Sequence, residues 1–294
     1  MPHSLYATDT DLTADNLLRL PAEFGCPVWV YDAQIIRRQI AQLSQFDVVR
    51  FAQKACSNIH ILRLMREQGV KRVVFASSAA VYGQNGEGTA IDEDTPKSPL
   101  TPYASDKLAS EYYLDFYRRQ HGLEPAIFRF FNVYGPREEH KGRMASVAYH
   151  CYQQLRRDGR VELFGEHGGF PPGGHLRDFV AVEDVARVNL HFFDHPQRSG
   201  IFNLGSGQAR TFNEVALAVI NSVRANADQP PLSLQQAVES GLLGYREFPE
   251  SLRARYQSHT CADLELLREA GYRDDFQSLE EGVAGYCRWL ARSA

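Results

Sequence analysis

The sequence lacks the cysteine and histidine patterns that hold metals or redox-active disulfides. Its five cysteines are odd in number, and no two of them have the Cys-x-x-Cys spacing of a zinc or redox site. The ten histidines form no His-Glu-x-x-His motif or comparable ligand cluster. We therefore predict no metal, and we interpret the cysteines as buried free thiols: Cys26, Cys56, Cys151, Cys261 and Cys287.

Blocks of like charge and long apolar runs are also absent. The 32 basic and 36 acidic residues leave a net charge of −4, and no basic run indicates binding to nucleic acid or to an anionic membrane. No apolar stretch is long enough to span a bilayer. The first residues lack the order of a secretion signal, so we expect a cytoplasmic protein. With 44% apolar residues the chain can bury a substantial core, and we expect its partner to be a small molecule.

The first 70 residues lack the glycine-rich turn on which dinucleotide-binding folds hold a pyrophosphate. They contain only Gly25 and Gly69, and neither Gly-x-x-Gly-x-x-Gly nor Gly-x-Gly-x-x-Gly occurs. Such a turn lets backbone N–H groups at a helix N-terminus contact the pyrophosphate, and the same βαβ unit carries the residue that contacts the ribose. Without this turn, we expect the chain to bind a dinucleotide much more weakly than a protein that has the turn does.

Segments with strand and helix periodicity alternate along the chain, which predicts an α/β fold: a Rossmann-like, mostly parallel sheet with a smaller C-terminal substrate-binding domain. We expect an atypical N-terminal βαβα segment over residues 1–70 and the rest of the cofactor domain over 71–140. Residues 141–294 would be mainly substrate-binding, with about 178–204 returning to the core sheet. The predicted strands are 28–31, 48–52, 73–76, 126–130, 178–182 and 201–204, and the main predicted helices are 35–43, 59–67, 103–120, 144–157, 264–271 and 279–290.

A serine-rich strand end is followed, after a proline-containing loop, by a Tyr-x-x-x-Lys motif. Tyr103 and Lys107 share a face of a predicted helix because they are four residues apart. An ammonium within roughly 4 to 6 Å favours the phenolate, which a tyrosine of ordinary pKa about 10 needs in order to act as a base. Ser77 or Ser78 would hold a substrate hydroxyl at the carboxyl end of the strand, where open α/β sheets bind ligands. The Tyr-Lys spacing alone is common on helix surfaces, and the serines favour catalysis.

Three strings resemble the extended short-chain dehydrogenase family of nucleotide-sugar epimerases. They are Ala76-Ser-Ser-Ala-Ala-Val-Tyr-Gly83, Tyr103-Ala-Ser-Asp-Lys107 and Phe128-Arg-Phe-Phe-Asn-Val-Tyr-Gly-Pro-Arg137. From Phe128 onward the sequence is most similar to the heptose 6-epimerases that act on ADP-L-glycero-D-manno-heptose, with further matching strings at 132–146, 177–180, 200–205 and 255–257. Between about residues 84 and 127 it looks more like UDP-hexose 4-epimerases.

The resemblance implies a bound NADP (or NAD) that oxidises C6″ of the heptose and reduces the transient aldehyde on its other face. It makes Tyr103 one acid/base and Lys141 a second one for the opposite face, with Ser78 and Lys107 completing the catalytic group. Outside its surrounding string, Lys141 would be interpreted as a solvated loop charge. The cofactor contacts implied by the resemblance are Ser77, Tyr103, Lys107 and Phe130.

The resemblance also implies a site for a nucleotide sugar, ADP-heptose, and a homo-oligomeric assembly. Arg177 suits the diphosphate because a guanidinium binds phosphate oxygens bidentately. Two features depart from the family: Arg143 stands where serine is common, and residues 165–174 are longer and less regular than expected. His150 has an ordinary structural alternative. The implied substrate contacts are Asn132, Arg143, His150, Phe164, Gly165, Glu166, His167, Arg177 and Tyr256.

Residues 1–70 resemble the N-terminus of diaminopimelate decarboxylases instead. The similarity lies in Phe24-Gly-Cys-Pro-Val-Trp-Val-Tyr-Asp32 and Arg50-Phe-Ala-Gln-Lys-Ala-Cys-Ser-Asn58, and it places Lys54 where that family binds pyridoxal phosphate. A Schiff-base lysine needs a lowered pKa and a phosphate anchor, which one or two strands of a barrel do not supply. We therefore expect no pyridoxal phosphate at Lys54. The chain is interpreted as a mosaic joined near residues 66–72.

The predicted strands at 28–31 and 48–52 would restore a parallel sheet if they paired beside 73–76. The leading hypothesis is a nucleotide-sugar epimerase, most like a heptose 6-epimerase, impaired by the missing glycine motif. The alternatives are a UDP-hexose 4-epimerase, an inactive recombinant that at most binds a sugar nucleotide, and a pyridoxal phosphate protein.

Overall fold

The computed structural model describes residues 14–24, 32, 34, 36–37, 67, 72–84, 88–253 and 256–293. The predicted strands at 28–31 and 48–52, the predicted role of Lys54 and nearly all of the join near 66–72 lie outside these residues. The boundaries of the predicted domains stay a prediction.

Strands and helices alternate through most of the described chain. In order, the strands are β1 (Arg72–Ser78), β2 (Glu124–Phe130), β3 (Asn132–Tyr134), β4 (Val161–Phe164), β5 (Leu176–Ala181), β6 (Gly200–Leu204), β7 (Ala209–Thr211) and β8 (Leu243–Arg246). The helices are α1 (Ala14–Phe24), α2 (Pro102–His121), α3 (Val147–Asp158), α4 (Val182–Asp194), α5 (Phe212–Ala225), α6 (Leu234–Glu239), α7 (Glu250–Arg253), α8 (Glu265–Glu269) and α9 (Leu279–Ser293).

The central sheet of the described residues has the order β1-β2-β6, and its strands are parallel. Its register pairs Ser78 with Phe130 and Phe130 with Leu204. The carboxyl ends of the three strands therefore form one edge, which is where sheets of this kind bind ligands. Two smaller sheets, β3-β5-β7 and β4-β8, follow in the second half of the chain. This architecture confirms the predicted α/β fold with a mostly parallel sheet.

Helix α2 begins and ends at residues that favour helix termini. Thr101 caps the N-terminus by accepting from the Ala104 backbone N–H at 3.2 Å, and Pro102 occupies the first turn. Gly122 ends the helix with a left-handed φ of 64°. The helix packs on β1 and β2 through a cluster of buried apolar side chains: Val73, Phe75, Leu114, Tyr117, Leu123 and Ile127. Tyr103 and Lys107 are thereby fixed in its first two turns.

Two larger clusters form most of the remaining core. One lies around β2, β6 and α4 and is rich in aromatic rings, including Phe128, Phe192 and Phe202. The other joins α3, α5 and α9 to β4 and β5 and contains Cys151 and Cys287. These two thiols are free and buried, as predicted, whereas Cys261 is free but only partly buried. Cys26 and Cys56 lie outside the described residues.

Several boundaries differ from the sequence prediction. Helix α3 begins at Val147 rather than Met144, because Gly142 has φ 53° and residues 139–144 form a 3-10 segment before Ser146 caps the helix. At the start of α5, Thr211 and Glu214 form both halves of a capping box. Strands β3, β4, β7 and β8 and helices α6 and α7 were not predicted, since runs of three to six residues show too little periodicity. The 11-residue helix α1 was not predicted either.

Candidate functional site

Tyr103 and Lys107 lie together at the start of α2. The Lys107 side chain is buried, and its Nζ lies 4.9 Å from the ring centroid of Phe75 and 5.7 Å from that of Tyr103. Tyr103 is 52% exposed. A cation at these distances is attracted by the ring faces. The pair thus combines a solvent-accessible phenol with a cation held on the protein side.

A buried ion pair joins helix α2 to strand β2 of the central sheet. Glu111 is four residues after Lys107 and accepts from Arg129 of β2 at 3.1 Å (Nε) and 2.7 Å (Nη2). The hydroxyl of Ser77, at the end of β1, also donates to the Glu111 carboxylate. All three side chains are buried. The Ser77 hydroxyl is therefore engaged with the protein, and its predicted cofactor contact stays a prediction.

The same network continues to the ends of all three strands of the central sheet. Arg129 Nη1 donates to the Tyr82 hydroxyl at 2.8 Å and to the Glu93 carbonyl at 2.9 Å, and the Tyr82 hydroxyl donates to Asn203 Oδ1 at 2.6 Å. Burial raises the pKa of Tyr82 well above its usual range, so this phenol stays protonated and can donate. Sequence analysis missed this network; the available signal was Arg129 standing between Phe128 and Phe130 in a strand.

Ser78 and Phe130 lie side by side at the carboxyl edge of the sheet. The Ser78 hydroxyl caps the short 3-10 turn Ala79–Tyr82 by accepting from the Ala80 N–H at 3.2 Å, and it keeps its own proton for donation. Phe130 is partly exposed there, and Asn132 in the next strand is exposed. A ligand at this edge can therefore reach one hydroxyl donor, one aromatic face and one amide.

Lys141 stands in a second group, on the 3-10 segment Glu139–Met144. Its side chain is 39% exposed, and its Nζ lies 3.9 Å from Oε2 of the buried Glu138. His150, on α3, has its Nε2 3.4 Å from the backbone carbonyl of Arg143, whose side chain is exposed. The structure thus brings Lys141, Arg143 and His150 to the start of α3.

Arg177 and Tyr256 form part of a third group. The buried Arg177 guanidinium lies 4.9 Å from the Tyr256 ring. Its Nη1 donates to the Leu176 carbonyl at 2.8 Å and its Nη2 to the Gln257 carbonyl. Burial lowers the pKa of Arg177 and raises that of Tyr256. The diphosphate contact predicted for Arg177 would have to use its remaining N–H donors, since two are engaged with backbone carbonyls.

The predicted 164–167 segment packs against the same group. The His167 ring stacks on Phe248 at 4.2 Å, and Phe164 meets Phe248 edge-on at 5.4 Å. The buried His175 lies 5.0 Å from the Tyr256 ring. Gly165 is held by its N–H to the Arg246 carbonyl at 2.6 Å, and Glu166 is exposed. Sequence analysis did not select His175 or Phe248, because neither belongs to a motif.

The described residues fit the nicotinamide half of a dinucleotide. They offer hydroxyl and ammonium donors at the sheet edge, including a buried lysine next to an exposed tyrosine. A surface cleft of about 420 Å³ between α3 and α9 contains none of the predicted site residues and does not locate the site.

Among residues 72–84, 88–253 and 256–293 no cluster of three or more histidine, cysteine or acidic side chains could hold a metal ion. Within the described chain no helix is long and apolar enough to cross a membrane.

Comparison with known proteins is consistent with this geometry. The chain is 81% identical over 221 residues to the ADP-L-glycero-D-manno-heptose-6-epimerase of Pseudomonas aeruginosa strain PAO1, an overlap that covers 75% of this chain and 66% of that protein. The chain thus spans slightly less than two thirds of that relative's length. The UDP-glucose 4-epimerase of Thermus thermophilus, solved with NAD, is 25% identical with a TM-score of 0.68, covering 90% of this chain and 83% of that one.

The crystal structure of the Helicobacter pylori ADP-L-glycero-D-manno-heptose-6-epimerase shares the fold, with a TM-score of 0.64 at 24% identity over 94% of this chain and 82% of that one. The profile of the NAD-dependent epimerase/dehydratase family matches residues 10–205. That match includes most of the first 70 residues, whose predicted similarity to decarboxylases it does not address. Because the match covers more than half of the chain, this protein belongs to the NAD-dependent epimerase/dehydratase family.

Proposed function

We propose that this protein is a nucleotide-sugar epimerase that inverts C6″ of ADP-L-glycero-D-manno-heptose with the help of a nicotinamide cofactor. The observation that carries the proposal is the pairing of an exposed Tyr103 with the buried Lys107 at the carboxyl edge of the parallel sheet. The name and the 81% identity of the Pseudomonas aeruginosa relative support the choice of sugar and carbon.

In this proposal Tyr103 takes the proton from the C6″ hydroxyl of one epimer, and Lys141 gives a proton to the C6″ oxygen on the opposite face to form the other epimer. Lys107 stabilises the phenolate of Tyr103. The Ser78 hydroxyl donates a hydrogen bond to the C6″ oxygen. A bound nicotinamide would supply the hydride acceptor and the hydride donor for C6″. Tyr103, Lys107 and the ring of Phe130 are the described side chains that would hold it, and Ser77 would reach it only by giving up its bond to Glu111.

Lys141 serves the opposite face of the sugar as the second acid/base. Its exposure and its position before α3 leave the ammonium accessible to a ligand. Asn132, Arg143 and His150 would contact the sugar, and the group around Arg177 and Tyr256 would bind the ADP moiety. Aromatic rings and a guanidinium in one cluster suit a base and a diphosphate. NADP rather than NAD, a cytoplasmic location and a homo-oligomeric assembly stay predictions.

The first test is a titration of the purified chain with NADP(H) and NAD(H), followed by nicotinamide fluorescence. Micromolar binding supports the proposal, and no binding at millimolar concentration contradicts it. The second is product analysis with the two C6″ epimers of ADP-heptose, using UDP-glucose as the comparison substrate. Turnover of UDP-glucose at C4″ in place of ADP-heptose would favour a 4-epimerase.

Replacing Tyr103 by phenylalanine separates chemistry from binding. Because the hydroxyl is the proposed acid/base, Tyr103→Phe is expected to lower kcat by about 10² to 10⁴, the usual contribution of such a group. Its affinity for ADP-heptose should stay within about twofold, since the ring remains. Tyr112→Phe, which alters an exposed tyrosine on the same helix, is the matched control. Unchanged turnover in Tyr103→Phe would remove Tyr103 from the mechanism.

A further inference from the structure

Glu138 is a buried acidic residue directly before the segment that carries Lys141. It is 3% exposed, although carboxylates are rarely buried without partners. The preceding Arg137 has φ 69°, a left-handed conformation that a non-glycine residue adopts at an energetic cost. Such conformations persist where the surrounding structure requires them, and they are concentrated at functional sites. The chain thus keeps an unfavourable backbone conformation next to a carboxylate that it buries.

The two oxygens of Glu138 join the start of α3 to the Lys141 segment. Oε2 accepts from the Ser146 N–H at 2.8 Å, and Oε1 accepts from the Ser146 hydroxyl at 2.6 Å. Ser146 in turn caps α3 by accepting from the Tyr149 N–H at 3.2 Å. On the other side, Nζ of Lys141 lies 3.9 Å from Oε2, and the Lys141 N–H donates to the Glu138 carbonyl at 2.9 Å. The carboxylate is therefore fixed by α3 and faces the lysine.

The other titratable groups around Glu138 do not compete for this role. Tyr286 of α9 is buried, and burial raises its pKa well above the usual range, with the charge of Glu138 adding to the shift. Tyr286 therefore stays neutral. Glu139 is adjacent but exposed, and His140 is exposed as well. Lys141 is the cation that the structure pairs with Glu138.

We propose that Glu138 is a positioning residue for the reaction, which holds the Lys141 ammonium and the 139–144 segment in one orientation relative to α3. The inference rests on the proposed function, in which Lys141 is the second acid/base. Glu138 acts through Lys141 and through the segment, and it has no contact with the substrate of its own.

The first experiment compares Glu138→Gln, Glu138→Asp and Glu139→Gln in the 294-residue chain loaded with cofactor. Glu138→Gln keeps the size of the side chain and removes its charge. We expect kcat to fall by roughly ten- to a hundredfold with KM within about twofold, which is part of the 10² to 10⁴ that a single acid/base contributes. The alkaline limb of the pH–rate profile should move to lower pH, because a lysine without its counter-charge loses its proton more easily. Glu138→Asp should recover most of the loss, and Glu139→Gln should match the unmodified protein.

The second experiment follows the protonation of the Lys141 amine without measuring turnover. Acetic anhydride labels only the neutral amine, so mass spectrometry of the Lys141 peptide gives the pH of half-maximal labelling. We expect this pH to fall in Glu138→Gln, to return in Glu138→Asp and to be unchanged in Glu139→Gln. A structural role alone would leave the labelling pH where it is, even if the variant were less stable.

An unchanged labelling pH in Glu138→Gln, or equal kcat values for Glu138→Gln and Glu139→Gln, overturns the positioning role. Absence of turnover in the unmodified chain with both C6″ epimers would contradict the proposed function instead. In that case the labelling result alone decides whether Glu138 holds Lys141. The two hypotheses can therefore fail separately.

Discussion

Replacing Glu111 by alanine is expected to lower the free energy of unfolding by about 3–5 kcal/mol, the usual cost of leaving one partner of a buried ion pair without its counter-charge. The side chains of Arg129 and Glu111 are 3% and 2% exposed, and two hydrogen bonds of 3.1 and 2.7 Å join them. The same substitution removes the acceptor of the Ser77 hydroxyl. Because a folded domain is stable by roughly 5–15 kcal/mol in total, such a loss is a large part of it.

Urea denaturation followed by circular dichroism measures this loss. The matched control is Asp115→Ala on the same helix, where a partly exposed carboxylate pairs with Arg118 at 2.9 Å and Arg119 at 2.8 Å. Exposed pairs contribute about 0–1 kcal/mol, so this change should cost little. Glu111→Gln, which keeps an acceptor, is measured as well in case Glu111→Ala does not fold.

A double variant, Glu111→Leu with Arg129→Met, tests the cause of the loss. It removes both charges and fills the space with apolar atoms, so it should be more stable than Glu111→Ala alone. Equal losses for Glu111→Ala and Asp115→Ala would refute the reasoning, because they would mean that the buried pair does not hold α2 against β2.

Two smaller predictions concern local stability and pH. Thr211→Ala removes the hydroxyl that accepts from the Glu214 N–H at 3.1 Å, and it should lower the free energy of unfolding by about 1 kcal/mol. Thr211→Ser keeps the hydroxyl and should change this free energy little. Equal denaturation midpoints for the two variants would contradict this. Burial lowers the pKa of His175, so below about pH 6.5 the unfolded chain binds more protons than the folded one and stability falls as the pH falls. His175→Phe can keep the stacking on Phe170 at 5.0 Å, and it should make the decrease between about pH 6.5 and 5 shallower but not abolish it, because the pKa of His191 is lowered too. An equally steep decrease in the variant would show that His175 is not its source.

Local sequence patterns were sufficient for the long elements from β1 onward and for the Tyr103–Lys107 pair. Helix α2 carries its own start and stop signals in Thr101, Pro102 and Gly122. The spacing of four residues then places Tyr103 and Lys107 on one face whatever else the chain does. The alternation of strands and helices likewise predicted the parallel α/β architecture, because each element shows its periodicity within a few residues of sequence.

Short elements and exact helix starts were not predictable in this way. Strand β3 has three residues and β8 has four, so neither has enough length to show an alternation. Helix α3 begins at Val147 because Gly142 interrupts the regular backbone and Ser146 becomes the cap. That choice depends on Glu138, which is eight residues before Ser146 and holds both its N–H and its hydroxyl.

The sequence by itself determined the long elements from β1 onward, the class of fold and the tyrosine–lysine pair, because these depend on residues within a few positions of each other. Only the tertiary structure decided which charges are buried. Glu111, Arg129 and Glu138 are charged residues of a type usually found at the surface, and apart from the two phenylalanines beside Arg129 nothing adjacent marks them as interior. Burying a charge requires a partner on another element, such as Arg129 of β2 facing Glu111 of α2, and such pairings exist only once the chain has folded.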